Sequence, residues 1–416
     1  MVNAPPRLFM GESLEWVSPV RVGSHVVRDW FLGRAFRVDW WTSPVSPVHF
    51  FRPRSFRQSL RKARRHLSGG EDVPGRGRVV TPRVLIPARR IGILDTAWAA
   101  RAHLRTFHPD PREAMRASDL VWVSSYFYLP FLEDAPRVPR VVRLADLDIL
   151  YPDHSPAVER WIRSGLAAAD LVLTPTKAID DWARSAGSRR VLFWPNGVEY
   201  EPFAQAASAG RPRDRGIVLF VGAINELLDQ ELVASTAAHL PAVRFQFIGP
   251  VAASVAALRR AANVELLGPR PYEELPGRMA SAGACWIPFR RTPRSDTARP
   301  LKLFQYLAAG APVACTPWKE LSILGAPVTL ASTAEEMAAA LQAALAGGET
   351  GAEARQAFAR EQSWNARFKE LERALAEILA ARGPSGLFLE WNHEPNEAIV
   401  SVSSGGGARR ADGSRR

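Results

Sequence analysis

Two short apolar runs on either side of a helical stretch constrain the fold of this 416-residue chain more than any other feature. Residues 284–289 (ACWIPF) and 311–315 (APVAC) each have the composition of a buried strand. Between them, residues 300–309 follow a helical pattern, with Pro300 suited to a first turn and Gly310 to a C-terminal cap. A strand, a helix and a strand in this order predict a sheet that is covered by helices.

The start of this predicted helix is basic. Lys302 lies in its first turn, Gln305 follows three residues later on the same face, and residues 290–299 carry four arginines. A helix N-terminus offers free N–H groups and partial positive charge, and Lys302 adds a full charge. The pattern therefore suits a bound diphosphate. The alternative is an amphipathic helix with solvated basic residues.

The same stretch resembles the donor-binding helix of GT-B glycosyltransferases that use nucleotide sugars. Those enzymes carry xLKLxEYLAAGxPVV, and residues 300–313 are PLKLFQYLAAGAPV without a gap. Gln305 stands where many members have a glutamate that holds the ribose hydroxyls, and Thr297 stands where the partner glutamate would be. The paired-glutamate motif of retaining families is thus absent, although a Gln amide can still bond a ribose hydroxyl.

The resemblance implies an α/β chain of the GT-B fold, with two Rossmann-like domains facing each other across a cleft and C-terminal helices crossing back to the first. Asn196-Gly197-Val198, followed by Phe203, resembles the segment with which these enzymes leave the first domain. We therefore predict a first, acceptor domain over 1–203, a linker over 204–215, a donor domain over 216–350, C-terminal helices over 351–382 and a disordered tail over 383–416.

Apolar runs and turn residues predict the individual elements. In the first half we expect a first strand at 14–17, a helix up to Gly33, strands at 36–41 and 84–86, and a flexible glycine-rich loop at 68–78. Strands around 119–125, 139–146, 170–176 and 190–194 follow. In the second half strands and helices alternate from Ile217, including a helix that runs through Arg260, and the last helical run carries a stripe of Trp364, Phe368, Leu371 and Leu375.

The chain has an excess of positive charge, with a formal net charge of +12 and a pI near 10.4. This charge favours anionic partners, namely nucleotide phosphates, nucleic acid or the anionic inner face of a membrane. Its two cysteines, Cys285 and Cys315, both fall in predicted buried strands, which indicates a reducing compartment. Without an apolar signal core or a membrane-spanning run, we expect a cytoplasmic protein.

Residues 52–67 form a basic amphipathic pattern, with seven lysine or arginine side chains and no acid. One helix face carries the apolar residues Phe56, Leu60, Ala63 and Leu67, and Arg61 and Arg64 lie among the charges beside it. Such a helix, close to upstream aromatic residues, is typical of a segment on a membrane surface. The alternative is an arginine-rich helix that is merely solvated.

The resemblance also implies donor-binding residues. Gly222 follows the strand at 217–221, where a glycine lets the backbone approach a phosphate. Many relatives have an arginine and a lysine after this turn, but this chain has AINE, so Lys302 and the arginine loop, including Arg299, must meet the pyrophosphate charge.

The nucleotide base has its own candidates. In the family the loop after the strand at 264–268 holds the base, which makes Arg270 and Tyr272 candidates for that contact. Tyr272 could stack on the base, or it could simply pack at the start of a helix.

Two residues of the first domain are candidates for catalysis. Asp146 follows the fifth predicted strand, at the sheet edge where ligands bind, and could take the proton of the acceptor hydroxyl as a general base. In the family a histidine of the first loop faces the cleft, which makes His25, beside the turn at Gly23, the second candidate. The alternatives are a helix-capping Asp146 and a capping or surface His25.

A metal is not expected. Asp146-Leu147-Asp148 matches the triplet with which GT-A enzymes hold a divalent cation, but nothing else in the chain has the GT-A pattern. GT-B enzymes meet the diphosphate charge with helix dipoles and basic side chains, so we expect neither a metal nor another cofactor.

Together these features predict a metal-independent glycosyltransferase of the hexosyltransferase type. Its partners would be a nucleotide diphosphate sugar, a UDP sugar by preference, a lipid-linked or polysaccharide acceptor, and the inner membrane surface. The missing paired glutamates also resemble the inverting glucuronosyltransferases of bacterial exopolysaccharide pathways, whose acidic donor would suit the four arginines of residues 290–299. The alternatives are a GT-B sugar-nucleotide epimerase and a non-catalytic binder of membranes or nucleic acid, although nucleic-acid recognition motifs are absent.

Overall fold

A computed structural model describes residues 4–17, 23–47, 56–67, 69–86, 96–144, 156–210 and 212–380. The disordered tail predicted over 383–416 lies outside these residues. The described chain forms two sheets whose strands run parallel, apart from one antiparallel pair at an edge of the first sheet.

The first sheet has the strand order β3-β4-β2-β1-β5-β6-β7-β8. Its strands are β1 (Arg7–Gly11), β2 (Arg37–Trp41), β3 (Glu71–Val73), β4 (Gly77–Val80), β5 (Leu120–Val123), β6 (Arg140–Arg143), β7 (Leu171–Thr174) and β8 (Val191–Phe193). The helices that accompany it are α1 (Gly23–Leu32), α2 (Phe56–Leu67), α3 (Ala97–Arg105), α4 (Pro111–Arg116), α5 (Pro156–Ala168) and α6 (Lys177–Ser185). Near-continuous apolar strands such as Leu120–Val123 form because both faces of this sheet are covered.

The second sheet begins after helix α7 (Tyr200–Ser208) and has the order β11-β10-β9-β12-β13-β14. Its strands are β9 (Asp214–Val221), β10 (Arg244–Ile248), β11 (Val264–Gly268), β12 (Ala282–Ile287), β13 (Val313–Cys315) and β14 (Thr329–Leu330). Its helices are α8 (Gln230–His239), α9 (Leu275–Ser281), α10 (Pro293–Asp296), α11 (Leu301–Ala308), α12 (Lys319–Leu324) and α13 (Ala334–Gly347). The order is that of a Rossmann fold.

Two final helices connect the halves. Helix α14 (Ala352–Glu361) packs on α11, and Arg355 donates to the carbonyl oxygen of Gly310 at 3.0 Å. Helix α15 (Trp364–Ala380) instead joins the core of the first sheet, where Trp364 and Phe368 pack on Trp194. The predicted apolar stripe is confirmed, and it is α15 rather than the whole segment 351–382 that packs on the first domain.

Several predicted elements were wrong. The first strand is Arg7–Gly11 rather than residues 14–17. The predicted flexible loop at 68–78 contains β3 and the start of β4, which form a hairpin, so the sheet gains two strands there and has none at 84–86. Only a short 3₁₀ turn, Leu258–Arg260, replaces the helix expected through Arg260. The stretch predicted as the linker, 204–215, begins inside α7 and ends inside β9.

Both cysteines are buried and free, and both lie in buried strands as predicted. Cys285 lies on β12 and Cys315 on β13, and the two strands pair in parallel. Burial raises the pKa of Cys285 to about 12 and that of Cys315 further still. These thiols therefore stay protonated at neutral pH and act as core residues.

Candidate functional site

The candidate site lies where the strand order of the second sheet reverses. Strand β9 has β10 on one side and β12 on the other, and ligands bind outside the carboxyl ends of such strands. The loops that follow β9 and β12 meet there, because Asp229 donates its N–H to the Pro288 carbonyl at 2.9 Å and Arg290 donates to Leu227 at 2.7 Å. The two loops thus form one wall.

Two glycines leave the backbone without side chains directly after β9 and β10. Gly222 has φ +144°, and a Cβ there would lie 2.3 Å from the Lys302 Nζ. Gly249 has φ +148°, and a Cβ there would lie 2.1 Å from the Gly222 carbonyl oxygen. Any other residue would be strained at either position and would collide with its neighbour. The structure therefore brings together two predicted donor-binding residues, Gly222 and Lys302, and adds Gly249, which the sequence analysis missed.

Lys302 reaches Gly222 because α11 is tied to β9. The Tyr306 hydroxyl accepts a hydrogen bond from the Val221 N–H at 2.7 Å, which fixes the first turns of α11 beside the end of the strand. The Lys302 ammonium then lies 3.8 Å from the centroid of the Phe220 ring and 5.3 Å from that of Phe289. Ring faces attract a cation without neutralising it.

The charge on Lys302 is poorly stabilised in the free protein. Burial lowers the pKa of Lys302 to about 7, and among the described residues no carboxylate pairs with it. A lysine in such surroundings gains when an anion binds beside it, because the anion supplies the missing countercharge. The geometry therefore suits a phosphate placed over Gly222.

The other predicted donor-binding residues are more dispersed. Gln305 is buried on α11, one turn beyond Lys302. Arg270 is exposed in the loop after β11. The Tyr272 hydroxyl donates to Glu199 at 2.6 Å while its ring packs against Phe203, so the Tyr272 side chain joins β11's loop to the start of α7.

Arg299 is held inside the protein. Its guanidinium lies 3.6 Å from the Glu320 carboxylate and donates to the Gln362 amide oxygen at 2.8 Å. Both partners of the ion pair are almost fully buried. A donor contact by Arg299 would have to break these bonds, whereas Arg290, Arg291 and Arg294 are exposed in the same loop.

Of the two predicted catalytic residues of the first domain, only His25 lies in the part of the chain that the structure describes. Asp146 and Asp148 lie outside the described residues. His25 is only 4% exposed, its ring stacks on Trp40, and its Nε2 lies 3.0 Å from the Glu15 carbonyl oxygen. This is the packing of a core histidine. Gly23 starts α1, and a Cβ there would lie 2.5 Å from the Arg143 guanidinium.

The sequence analysis missed a buried polar cluster around that guanidinium. Its members end β6, follow β1, β5 and β8 or begin α1, and they are Glu12, Ser24, Ser124, Arg143 and Asn196. All stand at the carboxyl edge of the first sheet, where its own strand order reverses between β1 and β5. Of these residues only Asn196 belongs to a motif noted in the sequence, and the cluster as a whole was missed because its members come from different parts of the chain.

Helix α2 presents two different basic faces. Lys62 and Arg65 turn inward and pair with Glu15, at 3.5 Å and 2.5 Å respectively. Arg61, Arg64, Leu60 and Leu67 are exposed, Leu67 to 83%. The side chain of Phe56 lies outside what the structure describes. The face with Lys62 and Arg65 thus holds α2 on the domain through ion pairs. The opposite face exposes arginines and leucines to solvent.

The described residues offer neither a membrane-spanning helix nor a metal site. None of their helices combines the length and the apolar character needed to cross a membrane. Likewise, no three or more His, Cys, Asp or Glu side chains among them are grouped so as to hold a metal ion.

Two Rossmann-like sheets, with a last helix that returns from the second to the first, define the GT-B fold. Residues 229–373, which include Gly249, Lys302 and Gln305 but neither Gly222 nor Phe220, match a family model described as glycosyl transferase-like. The chain also matches TuaH of Bacillus subtilis (strain 168), a protein assigned as a glycosyltransferase of teichuronic acid biosynthesis, at 34% identity over 202 residues. That match covers 45% of this chain and 51%, about half, of TuaH.

Solved structures agree on the fold. Sucrose-phosphate synthase from Thermosynechococcus elongatus matches 91% of this chain and 100% of its own, at 16% identity and a TM-score of 0.63. HepE from Anabaena, in complex with UDP, matches 89% of this chain and 100% of its own, at 16% identity and a TM-score of 0.60. Trehalose 6-phosphate synthase from Burkholderia multivorans matches 91% and 100%, at 14% identity and a TM-score of 0.62. The predicted GT-B fold and the resemblance to GT-B glycosyltransferases are thus confirmed.

Proposed function

We propose that this protein is a glycosyltransferase that moves a sugar from a nucleotide diphosphate sugar, by preference a UDP sugar, to a hydroxyl of a glycan or lipid-linked acceptor. The match of the donor half to a glycosyl transferase-like family supports the reaction class. The UDP and UDP-glucose complexes of HepE, which has the same fold, support the choice of nucleotide. The assignment of TuaH to teichuronic acid biosynthesis supports a glycan product.

The observation that carries this proposal is the Lys302 ammonium beside Gly222. A cation held on the Phe220 and Phe289 rings, next to a bare stretch of backbone at the sheet's switch point, is arranged to receive a diphosphate. Gln305, one turn further along α11, would hydrogen-bond the ribose. Arg270 and Tyr272, at the loop after β11, remain the predicted contacts for the base.

The reaction needs no metal in this proposal. Lys302 and the N–H groups at the start of α11 would stabilise the charge that develops on the leaving diphosphate. Thr297, at the position of the first paired glutamate, donates its hydroxyl to the Arg294 carbonyl and so serves the local turn. Without that pair, an inverting displacement assisted by a base of the first domain, predicted to be Asp146 or His25, is the mechanism we favour.

The acceptor side of the proposal includes a membrane. Helix α2 exposes Arg61, Arg64, Leu60 and Leu67, and Val17, in the loop after β1, is 82% exposed. Arginines beside exposed apolar side chains suit the anionic cytoplasmic face of an inner membrane, where a lipid-linked acceptor would be presented. The protein would then be cytoplasmic and peripherally bound.

A panel of nucleotide sugars tests the donor. UDP-glucose, UDP-glucuronic acid, GDP-mannose and dTDP-glucose are titrated in a thermal-unfolding assay and then followed by nucleotide release. A true donor raises the unfolding temperature in proportion to the logarithm of its concentration above the dissociation constant. We expect a UDP sugar to do so in the wild type and not in Lys302→Ala.

Lys319→Ala is the matched control, because Lys319 is an exposed lysine of the same domain. It should leave the response to UDP sugars unchanged. If none of the four donors stabilises the wild type, the protein does not act on nucleotide sugars of these classes. Conversion of a donor to its epimer without nucleotide release would replace transfer by epimerisation.

A further inference from the structure

The carboxyl group of Glu12 lies at the point where the strand order of the first sheet reverses. Glu12 directly follows β1, and Ser124 directly follows β5, the strand on the far side of the point where the strand order reverses. Glu12 is 2% exposed, and its backbone N–H donates to the Trp41 carbonyl at 2.8 Å. Its place in the chain is therefore fixed at the edge of the sheet where an acceptor-domain ligand would enter.

Hydrogen bonds fix the orientation of the Glu12 carboxylate. The Trp122 Nε1–H donates to the Ser124 hydroxyl at 3.2 Å, so the Ser124 O–H is free to donate to Glu12 Oε1 at 2.8 Å. Ser24, at the start of α1, hydrogen-bonds the same carboxyl. Two hydroxyl donors from separate elements hold Glu12 in one orientation, as a preorganised reactive group requires.

The cluster that contains Glu12 extends to the segment that leaves the first domain. Arg143, which lies near Ser24, donates to the Asn196 side-chain oxygen at 2.5 Å. Two residues after Asn196, Val198 pairs with Ser363, at the start of the return to the first domain. Glu12 therefore faces the part of the sheet edge from which the chain passes to the donor domain.

The charges around Glu12 set its protonation. Burial raises the pKa of Glu12, and the hydrogen bonds from Ser124 and Ser24 and the positive charge of Arg143 oppose it without cancelling it. The other titratable neighbour is Tyr128, whose hydroxyl donates to the Thr42 carbonyl and whose pKa is raised well above the usual value by burial and by Glu12. Of these two groups, Glu12 is the carboxyl, and its raised pKa makes it a stronger base than an ordinary glutamate.

We propose that Glu12 is the group that accepts the proton of the acceptor hydroxyl. As the acceptor oxygen bonds to the anomeric carbon, the bond from that carbon to the diphosphate breaks, the nucleoside diphosphate leaves with the electron pair, and the O–H proton passes to the Glu12 carboxylate. This role rests on the proposed function. It also assigns to Glu12 the task predicted for Asp146 and His25, and His25 is already packed on Trp40.

The test is a pH profile of donor turnover. Release of UDP from UDP-glucose and UDP-glucuronic acid, with water in place of the acceptor, is measured between about pH 5 and pH 9 in the wild type, Glu12→Gln and Asp146→Asn. Glu12→Gln should lower kcat by about 10²–10⁴-fold and remove the acidic limb of the profile, with the KM for the donor nearly unchanged. Formate added to Glu12→Ala should restore part of the rate.

Asp39→Asn is the matched control. Asp39 is also a buried carboxyl of the first sheet, but it lies on β2 and pairs with Arg7 at 2.8 Å. Its replacement should cost stability and keep the acidic limb. Glu12 is excluded if Glu12→Gln keeps the wild-type profile, if Asp146→Asn alone loses the limb, or if the wild type binds a donor but releases no UDP at any pH. Failure of every donor to bind would instead overturn the proposed function itself.

Discussion

An anion binds at a lower free-energy cost to a lysine that is packed on aromatic rings than to a lysine that already pairs with a carboxylate. Lys62 pairs with Glu15 and Lys177 with Asp181, so a phosphate would have to compete with those carboxylates. Within the part of the chain that the structure describes, the Lys302 ammonium lies against the faces of Phe220 and Phe289 and pairs with no carboxylate. Its interaction energy with a ligand phosphate is therefore not offset by the loss of an internal ion pair.

At this scale the first expected outcome concerns affinity. Lys302→Ala should weaken UDP binding by about 1.5–3 kcal/mol, the range for a hydrogen bond to a charged group. The fold should survive, because the substitution removes a cation whose burial is unfavourable. Isothermal calorimetry on the variant and on Lys319→Ala measures the difference. Equal UDP affinity in the wild type and Lys302→Ala would remove Lys302 from the site.

A second outcome concerns pH. The pKa of Lys302 is about 7 in the free protein, so the side chain is largely neutral above that pH. A bound diphosphate raises this pKa again, because it stabilises the ammonium. Binding of UDP-glucose should therefore take up a proton above pH 7, and its affinity should fall by up to about tenfold per pH unit.

Calorimetry in two buffers with different ionisation enthalpies measures the proton uptake directly. UDP-glucose is preferred to UDP here because it has no terminal phosphate that titrates in the same range. Lys302→Met, which cannot ionise, should bind more weakly and without this pH dependence. An affinity for the wild type that stays constant across the range would contradict the assignment.

At the scale of elements, sequence and structure agree best where local signals and burial coincide. Helix α11 is bounded as predicted by Pro300, which becomes its N-cap, and by Gly310 with φ +66°. The strand at Arg7–Gly11 escaped prediction because it is five residues long and its apolar run is only Leu8-Phe9-Met10. Glu12 was missed because this strand was missed. A lone glutamate becomes a candidate only when it is known to follow a central strand.

The glycines of the first domain caused the opposite error, in which strand residues were predicted as a flexible loop. Their density between residues 68 and 78 suggested a flexible loop, yet Gly77 sits inside β4 with φ +142°, and a Cβ there would lie 1.9 Å from the Val38 carbonyl oxygen. The glycine is present because a neighbouring strand comes close. Tertiary contacts of this kind are invisible in a single sequence.

Helix α2 is the element on which the membrane proposal depends. Since Lys62 and Arg65 pair with Glu15, the contact with lipid would fall, among the described side chains of α2, to the outward Arg61 and Arg64. Arg61→Glu with Arg64→Glu should abolish sedimentation with vesicles of anionic phospholipid while donor binding survives. The wild type should also be released from these vesicles at high salt.

A pair of exposed arginines in other helices and turns, Arg259→Glu with Arg373→Glu, makes the same change of net charge elsewhere and should sediment like the wild type. If both double variants lose binding equally, the attraction is a property of the total charge of +12. If the α2 variant still sediments, helix α2 does not contact the membrane.

At the scale of the whole molecule, α15 makes the core of the first sheet depend on the end of the chain. Trp364 is 4% exposed and packs against Trp194 and Phe368. Trp364→Ala should lower the free energy of unfolding by about 3–5 kcal/mol, as expected for a buried large-to-small replacement. Urea unfolding followed by circular dichroism measures the change.

Trp98→Ala serves as the comparison, because Trp98 is 67% exposed. It should change stability by less than about 0.5 kcal/mol. A Trp364→Ala variant as stable as the wild type would show that α15 is dispensable for the first domain. The GT-B arrangement itself was predictable because a repeated strand–helix pattern and one long motif both pointed to it, whereas the cluster around Arg143 draws on residues more than a hundred positions apart.

The two passages of chain between the domains lie side by side. Val198 N–H donates to the Gln362 carbonyl at 2.9 Å, and Trp364 N–H donates to the Val198 carbonyl at 3.1 Å. We therefore expect any motion of the two domains to be a rotation about this seam, with the largest displacements at the residues farthest from it. A pair of fluorophores that reports closure should therefore be attached far from Val198.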